Sequence, residues 1–116
     1  VPASYVEMVS SDTVVLQIDG NHRHVQIASI QTPQLQPRPG AEARWCDAEG
    51  EKAEQTMRYA ESLLSQAKKV AVDEQYIDES GILRAQIYVD QLSLGQELLY
   101  KYLAVEDGES TTWCDS

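Results

Sequence analysis

The chain has 116 residues, 42% of them hydrophobic, and a formal net charge of −10. This length suits one compact domain with a single core, and no apolar run approaches the roughly 18 residues of a membrane-spanning helix. Nucleic-acid affinity grows with the number of phosphates that Lys and Arg neutralise, so this acidity argues against nucleic acid as a partner. The argument is strongest for residues 70–116, which contain ten acidic residues and only two basic ones, Arg84 and Lys101.

The first half of the chain predicts β-strands. Residues 5–9, 13–18 and 22–30 are rich in β-branched side chains and alternate in part, which is typical of strands. Asp19-Gly20 separates the second and third of them and favours a tight hairpin turn. Residues 31–40 contain three prolines, which cannot continue a strand ladder, so we expect a loop there in which a ligand could bind.

An amphipathic helix is predicted for residues 52–68. Their apolar side chains recur at spacings of three and four, which places them on one helix face. The sequence leaves open whether the helix already begins near Glu42, because Gly50 would either interrupt it or be tolerated inside it.

Two more strands and a second helix follow. Residues 70–77 and 82–89 predict a hairpin, and Ser93 with Gln96 forms a capping box that begins a helix extending to about Leu103. The resulting order, β-β-β-α-β-β-α, predicts a mainly β fold with helices, namely a five-stranded OB-fold Greek-key barrel.

The two cysteines, Cys46 and Cys114, allow two interpretations. They are too few for a four-ligand zinc site, and they form no Cys-x-x-Cys pair. A disulfide would tie a polar tail, residues 105–116, to the domain formed by residues 1–104, and would indicate a secreted or periplasmic protein. The alternative is a pair of partly buried thiols in a cytoplasmic protein.

Three sequence blocks invite comparison with a known family. They read Val-Ser-Ser-Asp-Thr-Val at residues 9–14, Val-Gln-Ile-Ala-Ser-Ile-Gln-Thr-Pro-Gln at 25–34 and Ser-Gly-Ile-Leu-Arg-Ala-Gln-Ile-Tyr-Val at 80–89. With the closing Tyr-Leu-Ala at 102–104, their order and spacing resemble the staphylococcal-nuclease-like, or thermonuclease, family of OB-fold domains over about residues 5–104.

The resemblance implies a nuclease site that has lost its charges. Active members carry Asp-Gly-Asp-Thr, Arg-Leu-x-Gly-Ile-Asp-x-Pro-Glu and Tyr-Gly-Arg, which supply calcium ligands, a carboxylate base and two arginines for the phosphate. Here Ser10 and Ser11 replace the first aspartate and the glycine, and Asp12 is the charged position that remains. The other positions hold neutral side chains: Gln26 and Ile82 for the two arginines, Gln31 for the metal-binding aspartate and Gln34 for the base.

We therefore expect a catalytically inactive domain that acts as a binding or interaction module. Its ligand pocket would consist of Asp12, Gln26, Gln31, Gln34 and Arg84, since Arg84 lies two residues beyond Ile82 and projects from the same strand face. The expected partner is a protein, a peptide or a small polar ligand. No cofactor and no metal are expected, and Asp12 is the remaining candidate for a metal ligand.

Two other functions stay open. One is a calcium-dependent nuclease with displaced catalytic groups, drawing on Asp12, Arg84 and an acidic residue of the segment 42–54. The other is a purely structural or assembly module in which the pocket is filled. Structural explanations also exist for single residues: Asp12 can cap a turn, Arg84 can be a strand-surface residue, and His22 and His24 lack a third metal ligand identifiable by sequence.

Overall fold

The computed structural model describes residues 1–37, 45–108 and 113–114. Their helices are α1 (Asp47–Gln66) and α2 (Leu94–Tyr100), and their strands are β1 (Pro2–Met8), β2 (Thr13–Ile18), β3 (Asn21–Ile27), β4 (Ile30–Gln31), β5 (Val70–Ile77), β6 (Leu83–Val89), β7 (Leu92–Ser93) and β8 (Val105–Glu106). The five long strands of this part of the chain close into a mixed barrel, which confirms the predicted OB-type fold.

The barrel closes through one parallel contact. Strands β1, β2 and β3 form an antiparallel meander, and β5 pairs antiparallel with both β1 and β6. The remaining gap is bridged by β3 and β6, which run parallel with Gln26 opposite Arg84 and Ile27 opposite Ala85. This register places two of the predicted pocket residues side by side.

The core follows from the alternation of the strands and from one face of each helix. Along β6 the residues Leu83, Ala85, Ile87 and Val89 are buried, while the residues between them are partly exposed. Helix α1 buries Ala53, Thr56, Ala60 and Leu64, and α2 buries Leu94 and Leu98. Of these, Ala60, Leu64, Leu94 and Leu98 belong to the hydrophobic core together with the buried strand residues. The one hydroxyl among these helix residues, that of Thr56, lies 3.0 Å from the Leu103 carbonyl oxygen and joins α1 to the segment after α2.

Helix α1 begins at Asp47, so Gly50 is tolerated inside it. A Cβ atom at Gly50 would lie 2.9 Å from Cζ2 of Trp45, and glycine therefore leaves room for the indole ring. Asp47 and Glu49 in the first turn favour the positive end of the helix dipole. The alternative start near Glu42 lies outside the described residues.

Several elements differ from the sequence-based expectation. Strand β1 begins earlier, at Pro2, α1 begins earlier, at Asp47, and the two-residue strand β7 was not predicted. The predicted third strand is divided into β3 and β4, because Ser29 adopts a left-handed backbone with φ 69°. Helix α2 ends at Tyr100 instead of near Leu103, and Tyr102 is left-handed with φ 57°. Strand β8 was not predicted; it pairs with β4 through Ile30 opposite Glu106 and Gln31 opposite Val105.

Cys46 and Cys114 form a disulfide with a Cα–Cα distance of 5.9 Å. Cys46 is the N-cap residue of α1, so the bond attaches the end of the chain to the beginning of that helix. A disulfide is compatible with an oxidising compartment. Within the described ranges, no helix combines the length and the apolar content needed to cross a membrane.

We expect the double variant Cys46→Ser/Cys114→Ser to lose about 4 kcal/mol of unfolding free energy, because the bond closes a long loop and restricts the unfolded chain. Urea unfolding followed by tryptophan fluorescence measures this loss. A reducing agent should shift the unfolding midpoint of the wild type toward that of the variant and leave the variant unchanged. Equal midpoints for the oxidised wild type and the variant would contradict the prediction.

Candidate functional site

One cavity collects the residues that the sequence singled out. Its volume is about 360 Å³, and its lining includes Asp12, Gln26, Gln31, Gln34, Ile82 and Arg84 together with Ile30, Thr32 and Asp107. We call it the glutamine cavity. The β1–β2 turn, strands β3 and β4, the loop after β4, the β5–β6 hairpin and the residue after β8 all contribute to it. Closure of the barrel by β3 and β6 brings these distant segments together.

The carboxylate of Asp12 is occupied by neutral donors. Its Oδ1 accepts hydrogen bonds from the hydroxyls of Ser10 and Thr13, each at 3.0 Å. Its Oδ2 accepts from Nε2 of Gln26 at 2.8 Å. Asp12 thus lines the cavity, and both of its oxygens accept from side-chain donors. The expected capping of a backbone N–H by Asp12 is not seen among the described residues.

The side-chain amide of Gln26 has its nitrogen hydrogen-bonded and its oxygen unsatisfied. Its Nε2 donates to Asp12, while its Oε1 is buried and has no hydrogen-bond partner in the described residues. The orientation of the amide is fixed by this bond, because the flipped amide would place two oxygens against each other. A buried acceptor without a donor is costly, so a water molecule or a ligand donor would stabilise this position.

Gln34 is held by its backbone as well as by its side chain. Its N–H donates to Oε2 of Glu49 at 2.8 Å, and its carbonyl oxygen accepts from the indole N–H of Trp45 at 2.9 Å. Its side-chain Nε2 donates to the carbonyl oxygen of Thr32 at 3.0 Å. The start of α1 therefore anchors the proline-rich loop, and Gln31 is fixed separately by the pairing of β4 with β8.

Arg84 lines the cavity but is paired with Asp78. Its Nε donates to Oδ2 of Asp78 at 2.8 Å. The Oδ1 of Asp78 accepts from the backbone N–H groups of Ser80 at 2.8 Å and Ile82 at 3.0 Å. The hydrogen bond from Arg84, followed by that from the Ile82 N–H, lowers the pKa of the Asp78 carboxyl, and the same pair raises the pKa of Arg84.

The charge of the glutamine cavity disfavours a phosphate. Asp12 and Asp107 contribute negative charges to its lining, while Arg84 is neutralised by its pair with Asp78. Ile82, which also lines the cavity, is 42% exposed and apolar. The net negative charge would therefore repel an anion. It would not repel a neutral hydrogen-bond donor, and it would attract a cationic one.

The metal candidates do not form a complete ligand group in the described part of the chain. Among the described residues, no group of three or more His, Cys, Asp or Glu side chains is placed to hold a metal ion. His22 and His24 are exposed on β3, opposite Gln17 and Val15 of β2. For the nuclease alternative, residues 42–44 lie outside the described part, and Glu49 accepts the Gln34 N–H.

Four residues near the site were missed by sequence reasoning. Asp78 begins a turn of the type Asp-x-x-Gly, in which an aspartate commonly caps the backbone, and that signal could have identified it. Ser11 and Thr32 are buried and joined by a 2.7 Å hydrogen bond; because the Ser11 hydroxyl donates to the Pro33 carbonyl, Thr32 is the donor to Ser11. Asp107 had no signal, since its position depends on β8.

We expect Asp78→Asn to lower the thermal unfolding midpoint at pH 7 and to have progressively less effect as the pH falls. The folded-state pKa of Asp78 is depressed, so its contribution to stability is present above the unfolded-state pKa of about 3.9 and is lost as the pH falls through the folded-state value. Thermal unfolding from pH 7 to pH 3 measures the gap between variant and wild type. Glu79→Gln, in the same turn, is the matched control and should show no such gap; an equal gap at both ends of the pH range would refute the assignment.

Comparison with known proteins adds no relative. Neither the family models nor the curated proteins that were searched match this chain. The resemblance to thermonuclease-like domains therefore remains one of motif order and spacing, and the geometry of the glutamine cavity is the basis on which a function can be proposed.

Proposed function

We propose that the chain is a catalytically inactive, thermonuclease-like OB-fold domain that acts as a binding or interaction module. The observation that carries the proposal is the Gln26–Asp12 hydrogen bond of 2.8 Å, in which an amide stands where the resemblance implies an arginine. Asp12 is thereby satisfied without a metal ion or a phosphate. The disulfide supports an extracellular or periplasmic location for this module.

The chemical groups that phosphodiester cleavage requires are missing from this arrangement. An amide at Gln34 cannot take a proton from water at neutral pH, and its Nε2 is already bonded to Thr32. Loss of a general base or of one donor to the developing charge each lowers the rate by about 10²- to 10⁴-fold. Such losses are not additive. In addition, the remaining arginine, Arg84, is itself paired with Asp78.

The cavity is suited instead to an uncharged polar ligand that contains amide groups. Its volume of about 360 Å³ lies within the range of small-molecule sites. The Oε1 of Gln26 has no hydrogen-bond partner among the described residues, so an N–H or O–H donor that reaches it after a side-chain movement would stabilise it. The acidic lining disfavours phosphates and carboxylates. A peptide backbone or a small amide carries the required donors and acceptors.

We expect no metal-dependent cleavage of plasmid or single-stranded DNA by the purified protein, with or without calcium, because base and guanidinium groups are absent or occupied. Plasmid nicking and digestion of labelled single strands measure this. The matched control is Asp12→Ala, which should give the same background. Calcium-dependent cleavage that disappears in the Asp12→Ala variant would overturn the proposal in favour of a nuclease with displaced groups.

We expect N-acetylglycine methylamide, a small diamide, to perturb the side-chain amide NMR signals of Gln26, Gln31 and Gln34. Gln26→Leu should weaken this binding about 10-fold, which corresponds to roughly 1.4 kcal/mol for the loss of a hydrogen-bonding partner. Gln17→Leu, on the exposed face of β2, is the matched control and should bind as the wild type does. A lack of perturbation at all three glutamines would favour the purely structural module.

A further inference from the structure

A second cavity adjoins the glutamine cavity. It has a volume of about 320 Å³ and is lined by residues of four regions: Ser29 and Ile30 around β4, Tyr76 and Gln86 from β5 and β6, Gln96 from α2, and Glu106 with Asp107 at β8. We call it the α2 cavity. Ile30 and Asp107 belong to the linings of both cavities, so the two form neighbouring compartments of one surface.

The α2 cavity presents hydrogen-bond acceptors and negative charge. Glu106 and Asp107 are exposed at its edge, and neither forms an ion pair within the described part of the chain. Arg84 is the cation that interacts with Asp107: chiefly its hydrogen bond with Asp78, and to a smaller extent the charge of Asp107, raise the pKa of Arg84. Its Nε, however, is bonded to Oδ2 of Asp78 at 2.8 Å. The two carboxylates therefore keep their charge available for a cation from outside.

The uncharged groups of the lining suit the same kind of ligand. The side chains of Gln86 and Gln96 form no hydrogen bond among the described residues, so their amide oxygens can accept from an ammonium or guanidinium group. Tyr76 adds an aromatic ring, and such rings favour cations packed on their faces.

An apolar rim accompanies the acidic cavities. Tyr76 and Ile82, both from the β5–β6 hairpin, are 49% and 42% exposed. Tyr76 lines the α2 cavity and Ile82 lines the glutamine cavity, so the rim runs alongside both compartments. A small amine would fill one compartment and leave these side chains in water, whereas a polypeptide with apolar residues beside its cation would cover them.

We propose that the α2 cavity receives a Lys or Arg side chain from an extended, basic segment of a partner protein, whose neighbouring apolar side chains pack on Tyr76 and Ile82. Charge complementarity with a chain of net charge −10 favours such a partner and disfavours nucleic acid. The inference names a partner class for the interaction module proposed above and rests on that proposal. Asp107, shared by the two cavities, is the carboxylate placed to meet the cation.

The test uses three probes on the full chain at low salt: the capped peptide acetyl-Leu-Lys-Leu-Lys-Leu-amide, the same peptide with norleucine at both lysines, and N-acetyl-lysine amide. Calorimetric or NMR titration gives their dissociation constants. We expect the lysine peptide to bind at least fivefold more tightly than either other probe, since an exposed ion pair contributes a factor of about five. Asp107→Asn and Glu106→Gln should each weaken its binding by about fivefold. Raising the salt concentration to 0.5 M, at which the Debye length is below about 5 Å, should weaken it to a similar extent.

The control variant is Glu61→Gln, which removes one exposed carboxylate from α1 and should leave peptide binding unchanged. Equal binding of the lysine and norleucine peptides would overturn the charge-based recognition. Equal binding of the peptide and N-acetyl-lysine amide would overturn the extended partner and leave a site for small amines. No binding of any probe at millimolar concentration would overturn the inference while leaving the absence of nuclease activity, which is measured separately, intact.

Discussion

The parallel contact between β3 and β6 is the constraint on which the rest of this structure depends. It closes the barrel with a register that places Gln26 opposite Arg84 and Ile27 opposite Ala85. Without it, the strands would form one open sheet in the order β3-β2-β1-β5-β6-β7, and β3 and β6 would lie apart in it. Because the contact joins residues far apart in sequence, the glutamine cavity can form only when the barrel as a whole is complete.

Within that frame, the charged groups that remain near the glutamine cavity are engaged by local hydrogen bonds. Asp12 accepts from two hydroxyls and from the Gln26 amide, and Arg84 is taken up by Asp78. A nuclease would need such groups to be available to calcium or phosphate. The exception is the buried oxygen of Gln26, which lacks a partner among the described residues and so gives the cavity a specific demand for a donor.

Much of the barrel could be predicted because its strands alternate clearly and its hairpins carry turn residues. The five residues that the sequence proposed for a pocket line one cavity, since motif order determined which strands and loops they occupy. The pairing of Arg84 with Asp78 was not foreseen, because it depends on the path of the hairpin. Strand β8 was not foreseen either: two residues in a polar segment have no periodicity, and their pairing with β4 is decided by tertiary contact.

Gly50 shows how far the influence of one small residue extends. Any larger residue there would push the indole of Trp45, whose ring carbon would lie 2.9 Å from the added atom. That indole N–H holds the carbonyl oxygen of Gln34, at the wall of the glutamine cavity. Alanine would raise the intrinsic helix propensity of this turn. Its methyl group would nevertheless displace the indole and, through it, the loop that carries Gln34 along the cavity.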